Sequence, residues 1–446
     1  MDARKLKLGW RWLTVLVLLG PASSAALEPP DLSKLSLEQA EQEGLNNSPE
    51  IQASRSEVRQ SGWNKLGAFS EFLPKLELFA GHTLSYKFEA EDVSEDLSAG
   101  KALLRFNLTE AGLRVKVPLF DGFRDLHHYR AELHLHEKAA LSESWESFKL
   151  TQEIRDRFSQ ALADQLLEAV AEQDVKTLED HQRQVRNLIQ GGAATQFDIL
   201  RIDAQLEDAR SNLMQSQDNV RLSRQRLAQA LGYNDDRRPL DGALPVPAKS
   251  VLVGLPENPE AGDGRADIEA LRESVDAQDE LRSATLSEWL PSISLIGEAA
   301  EYNNTSTSLS APGEFNQSYQ TAFLLTWNLF DGMKSVANRG SSEEQTLQSE
   351  KKLDRALLTK NYDLNQWKRR YRYNADFFQA RIVNLKRAEE NLRIATTGLE
   401  NGTQTSTDVL DAEQDLFRSR AGVIAAQLSA EQALIRLELA LGKRIR

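Results

Sequence analysis

Cysteine is absent from all 446 residues, which excludes disulfides, thiolate metal sites, cysteine catalysis and lipidation of an N-terminal cysteine. Proline is scarce and uneven: none of the 13 lies between Pro118 and Pro239 or after Pro312. Glycine is missing from 123–190 and again from 341–397. Both residues break helices, so these gaps permit very long ones. The segment 123–190 alone would reach about 100 Å, far more than a compact domain of this size requires. Long apolar runs are lacking too. The one clear run, 12–19, follows Arg4, Lys5, Lys7 and Arg11 and precedes Ala22, Ser23, Ser24, Ala25 and Ala26, the pattern of a secretory signal peptide over 1–25. No later stretch approaches the roughly 20 apolar residues of a transmembrane helix.

Positive charge is also short. The formal net charge is −13, and the first 25 residues carry four basic side chains and one acidic one, so the rest is more acidic still. Such a surface argues against a nucleic-acid partner. The basic run Lys368-Arg369-Arg370 with Arg372 lies within a helical stretch and reads as a helix face. No nucleophile elbow, phosphate-binding glycine loop or zinc-protease motif occurs, so neither an enzyme nor a resident cofactor or metal is expected.

What the chain has is a duplication. Gly192-Ala-Ala-Thr-Gln-Phe-Asp198-Ile-Leu200 returns 210 positions later as Gly402-Thr-Gln-Thr-Ser-Thr-Asp408-Val-Leu410. The register holds to Ala230-Leu231-Gly232 and Ala440-Leu441-Gly442, and upstream to Leu119-Phe120-Asp121-Gly122 and Leu329-Phe330-Asp331-Gly332. Before that the offset becomes 217, pairing Leu73-Pro74 with Leu290-Pro291. Two structural repeats, 26–236 and 265–446, are therefore expected, joined by a proline-rich linker over 237–264. The first holds a helix over about 36–70, a hairpin over 74–119, a long helix over 123–190 and a helix over 197–231. The second holds a helix over about 267–289, a hairpin over 291–330, a long helix over 335–398 and a helix over 407–441.

Added end to end, the two short helices of a repeat match its long one, so the expected packing sets a long helix beside two coaxial short ones. The thin stripe Leu162, Leu166, Val170 and Leu178 fits coiled-coil seams better than a globular core. In the hairpins the period changes to two: Leu76, Leu78, Ala80, Leu84, Tyr86 and Phe88 alternate with polar residues. A slip of phase near Gly112 suggests a bulge there. Polar links, 89–102 and 303–317, join the paired strands. Four strands cannot close a barrel in lipid, where every edge must be paired, so a lipid-facing sheet would need strands from several chains.

The export signal, the repeated helix-hairpin-helix-helix plan, the Leu-Pro before each first strand and the Leu-Phe-Asp-Gly after each second strand together resemble the outer membrane factor family, the TolC-like trimeric channels. The resemblance spans nearly the whole mature chain. It implies an α/β mixed membrane protein: long antiparallel coiled-coil helices forming an α-barrel through the periplasm of a Gram-negative bacterium, and four strands per chain contributing to a twelve-stranded transmembrane β-barrel. It further implies a homotrimer in outer membrane lipid, acting as the exit duct of a tripartite efflux pump or type I secretion system. The partners would be a periplasmic adaptor and an inner membrane transporter, which supplies the energy. The polar strand links become extracellular loops.

The resemblance also points to the helix-to-helix tips. Gly402-Thr403 matches the family's tip turn, and Asp408-Val409-Leu410-Asp411-Ala412 the run that places aspartates at the periplasmic entrance. Asp408 and Asp411, three apart, share a helix face, and in a trimer would stack two carboxylate rings that favour cations. Asp198 is the first-repeat counterpart of Asp408. The alternative for each aspartate is a helix cap. Gly191, Gly192 and Thr195 in one tip, and Gly402, Thr403, Gln404 and Thr405 in the other, are the expected adaptor contacts, with glycines permitting tight turns. Gln404 and Leu399 stand where some members have an arginine and a tyrosine that hold the entrance shut, so a closed state needs another latch. His128, Glu132 and His136 recur at helical spacing beside His127 and His134 and could bind a metal, though exposed helical histidines need no ligand. The rival to a channel is a non-conducting periplasmic coiled-coil tether or a trimeric surface adhesin.

Overall fold

The computed structural model describes residues 34–82, 109–191, 194–253, 255, 264–303 and 315–445. The signal segment, Gly192, most of both strand links and the strand positions Leu84, Tyr86 and Phe88 lie outside them. The order is α1 (Leu37–Asn47), α2 (Pro49–Ser70), β1 (Lys75–His82), β2 (Thr109–Phe120), α3 (Arg124–Gln190), α4 (Gln196–Ala230), α5 (Ala266–Ala284), β3 (Ser292–Asn303), β4 (Asn316–Thr326), α6 (Lys334–Glu400) and α7 (Ser406–Leu441).

Both long helices have 67 residues, roughly 100 Å at the rise of an α-helix. They start alike, and the start explains the repeated Leu-Phe-Asp-Gly. Gly122 and Phe123, and likewise Gly332 and Met333, have positive φ, which turns the chain sharply out of the sheet. The aspartate then caps the helix it precedes: Asp121 Oδ2 accepts the Asp125 N–H at 2.7 Å, and Asp331 Oδ2 the Ser335 N–H at 2.8 Å.

The helix expected over 36–70 is two. Ser48 adopts an extended conformation between them because Pro49, at the first position of α2, disfavours a helical residue before it. In the second repeat, α5 tightens into a 3-10 turn at Thr285–Trp289 before the sheet.

Along its length α3 packs against α1, α2, α4, α5 and α7. Where α4 ends and α1 begins, Leu35, Ile51, Ile154, Phe158, Leu231 and Tyr233 form a buried cluster. Here Gly232, at φ 83°, sits so close to α1 that a Cβ would lie 2.9 Å from the Asn47 carbonyl oxygen. Gly442 does the same in the other repeat, at φ 74°, against Arg265. The Ala-Leu-Gly that recurs in sequence is thus the joint at which two short helices stack beside a long one. One buried ion group ties the repeats together: Arg155 on α3 donates to Glu431 at 2.8 Å and to Glu438 at 2.7 Å on α7. Removing one partner would strand a buried charge.

The sheet is antiparallel in the order β1-β2-β3-β4. No register shift occurs at Gly112, which pairs with Phe79 and Ala300. The irregularity lies between Pro118 and Phe120, next to a proline that cannot donate to the ladder. Gly112 serves close approach instead, since a Cβ there would lie 2.5 Å from the Ala299 oxygen.

Candidate functional sites at the membrane sheet and the periplasmic tips

Pairing places Leu76, Leu78, Ala111, Leu113, Val115, Leu295, Ala299, Tyr319, Phe323 and Leu325 on one face of the sheet. Several of these are fully outward: Leu78 is 81 % and Tyr319 77 % exposed. The opposite face carries a polar row, Glu77, Arg114, Glu298 and Gln320, in which Arg114 Nε donates to Glu298 at 2.9 Å. A sheet apolar on its exposed face and charged on the other is built for lipid outside and water inside. Among the described residues, no helix is long and apolar enough to cross a membrane.

At the far end are the tips. Each second helix opens with a capping box: Thr195 Oγ1 accepts the Asp198 N–H, and Asp198 Oδ2 accepts the Thr195 N–H at 2.8 Å. Thr405 and Asp408 repeat this, also at 2.8 Å. Bonds from the threonine N–H and hydroxyl hold both carboxyls below the usual carboxylate range, so both stay ionised under any physiological condition. Asp408 and Asp198 are therefore caps first. Asp408 is nevertheless exposed, and so is Asp411, which the cap does not use. Asp411 accepts from Arg201 on α4 at 3.0 Å. These two occupy the same place in the two repeats, 210 positions apart, and the one position where the tips carry opposite charge is where they touch.

The turns differ. Gly402 has φ 73°, and the Gly398 carbonyl accepts the N–H groups of Thr403 at 2.8 Å and Gln404 at 3.1 Å. The Gln404 side chain lies against Gly398, which has no room for a Cβ. Leu399 packs with Ala395, Val409 and Ala412. Gly191 departs from expectation: its φ of −79° is right-handed, so it does not supply the turn's positive torsion.

A second tie between the repeats has no motif to mark it in the sequence. His181 on α3 is buried, with Nδ1 2.9 Å from Glu413 and Nε2 3.1 Å from Ser406, both on α7. One helical repeat up the same face of α3, burial and then the Glu413 charge push the Asp174 carboxyl up to about 6. The available signal was spacing: Asp174 and His181, and Ser406 and Glu413, are each seven apart on helices otherwise joined by apolar seams.

The family model described as outer membrane efflux protein matches residues 41–233 and 259–443. The chain belongs to the outer membrane efflux protein family. It is an outer membrane efflux channel extending into the periplasm, and the tether or adhesin reading is not favoured. Among solved structures it is similar to the CusC transmembrane channel protein, at 17 % identity and TM-score 0.78 over 92 % of each chain. The outer membrane protein VceC of Vibrio cholerae matches at 16 % identity and TM-score 0.75, over 92 % of this chain and 97 % of that one. The open-state MtrE outer membrane channel of Neisseria gonorrhoeae matches at 17 % and 0.74, over 91 % and 89 %. No curated protein sequence matches significantly.

Proposed function

We propose that three copies of this chain assemble into one continuous duct whose periplasmic entrance is closed by ties between its two helical hairpins. The observation that carries the assembly is the sheet: β1 and β4 stand at its two ends, and its apolar face is continuous across all four strands. In lipid both open edges need partners, and β1 of one copy beside β4 of the next supplies them. Exposed apolar residues on α6, including Leu358, Tyr362 and Tyr373, would be covered by neighbouring copies as the helices close around the same axis.

Asp408 and Asp411 then face the narrow end as stacked acidic rings that favour cations, with Asp198 alongside. Arg201–Asp411 and His181–Glu413 both bind α7 to the α3–α4 hairpin, and serve as the latch that Gln404 and Leu399 cannot form. A periplasmic adaptor engaging the tips at Thr195 and at Gly402 to Thr405, with Gly191 and Gly192 beside it, would release α7 and widen the entrance for an inner membrane transporter. Planar-bilayer recording tests this. The purified protein is expected to give small cation-selective conductance, and Arg201→Ala a several-fold larger one. Absence of conductance in both parent and variant contradicts the duct, and equal conductance in the two contradicts the latch.

A further inference from the structure

The histidines near the sheet do not share one face. His136 Nδ1 lies 2.9 Å from Ser61 on α2, whereas His127 and His134 turn to α5, 2.6 Å from Glu280 and 2.7 Å from Glu273. The set His128, Glu132 and His136, suggested by helical spacing, is thus not where ligands converge. Convergence occurs across the α3–α5 seam: His134, Glu273 and Asp276 each offer a donor atom, all within 4.8 Å of one another. Glu273 and Asp276 are three apart on α5 and so point the same way.

The charge of this group distinguishes it from its neighbour. Glu280, bound to His127, also has Arg130 at 3.9 Å. Neither Glu273 nor Asp276 has a lysine or arginine ion pair among the described residues, and Lys138 nearby donates to Ser274 instead. Two carboxylates thus meet one imidazole with no lysine or arginine at ion-pair distance from either of them among the described residues.

We propose that His134, Glu273 and Asp276 form a site for a divalent transition-metal ion, of the zinc or nickel class, that cross-links α3 to α5. One nitrogen and two carboxylate oxygens suit such borderline ions, with water completing the shell. Binding takes the place of the hydrogen bond between the His134 ring and Glu273, with the ring's proton on the nitrogen that does not ligate. The site lies about three turns into α3 and midway along α5, so the ion pins these two helices to each other.

Zinc is the probe. Metal-free purified protein, titrated against a chromophoric zinc chelator, should bind one zinc per chain. Asp276→Asn and His134→Ala should each weaken binding by roughly tenfold or more, and His128→Ala should not. Zinc should raise the melting temperature of the parent but not of Asp276→Asn, whose exposed position keeps the fold intact. Parent protein that binds no zinc, or binding that survives both ligand substitutions or depends on His128, overturns the site.

Discussion

At the scale of single residues, two aspartates three positions apart have different tasks. Asp408 completes the capping box with Thr405, and its carboxyl stays well ionised because backbone and hydroxyl donors face it. Asp411 is free to meet Arg201. A spacing of three could show that both share a face, but the partner of Asp411 lies on another helix 210 positions away, and only the folded tips bring it near. The same holds for His181, buried between Ser406 and Glu413. Asp174 gives this seam a pH dependence whose sign is fixed. Its folded-state carboxyl is raised from 3.8 to about 6, so the folded seam holds a proton that the separated helices would release. The seam is strongest below the lower value, weakens as pH rises between the two, and is unchanged above 6. Amide protection of α7 near the tip, taken as the exchange rate relative to the intrinsic rate at each pH, should therefore be higher at pH 5 than at pH 7, and Asp174→Asn should flatten that difference. Equal protection at both pH values in the parent would contradict it.

At the scale of elements, long helices were legible because their evidence is an absence: runs without proline or glycine, repeated at a constant offset. The strands were legible from their period of two. Less legible were events set by neighbours. Gly112 looked like a bulge and is instead a close approach to β3, while the actual register shift beside Pro118 has no period to disturb. The division at Ser48 was announced by Pro49 yet hidden by helix-forming residues on both sides. The joints at Gly232 and Gly442 give a differential prediction. Both are left-handed, so alanine at either costs about 1 kcal/mol of backbone strain. At Gly232 the new Cβ also meets the Asn47 backbone carbonyl at 2.9 Å, and at Gly442 it meets the root of the Arg265 side chain, Cγ, at 2.4 Å and its Cα at 3.1 Å, while Asp267 holds that guanidinium in place. Gly232→Ala and Gly442→Ala should each lower the melting temperature, whereas alanine at Gly340, which has nothing within 4 Å, should not; an unchanged melting temperature in both joint variants would show that the joints do not bear the stacking.

At the scale of the whole molecule, one chain is an incomplete object. Its sheet has two open edges and an apolar face. Its long helices expose apolar residues such as Leu358 and Tyr362, and it must achieve stability without a single disulfide. Duplication solves half of the geometry, doubling one hairpin and one long helix, and assembly solves the rest. The lack of cysteine makes this directly measurable, because any disulfide formed after substitution is the engineered one. Cysteines placed together on the outer edges of β1 and β4, at Leu76 or Leu78 and at Phe323 or Leu325, should oxidise in outer membranes into a covalent ladder that ends at three chains. Only monomer, or a ladder that runs past three, would contradict the closed three-chain duct.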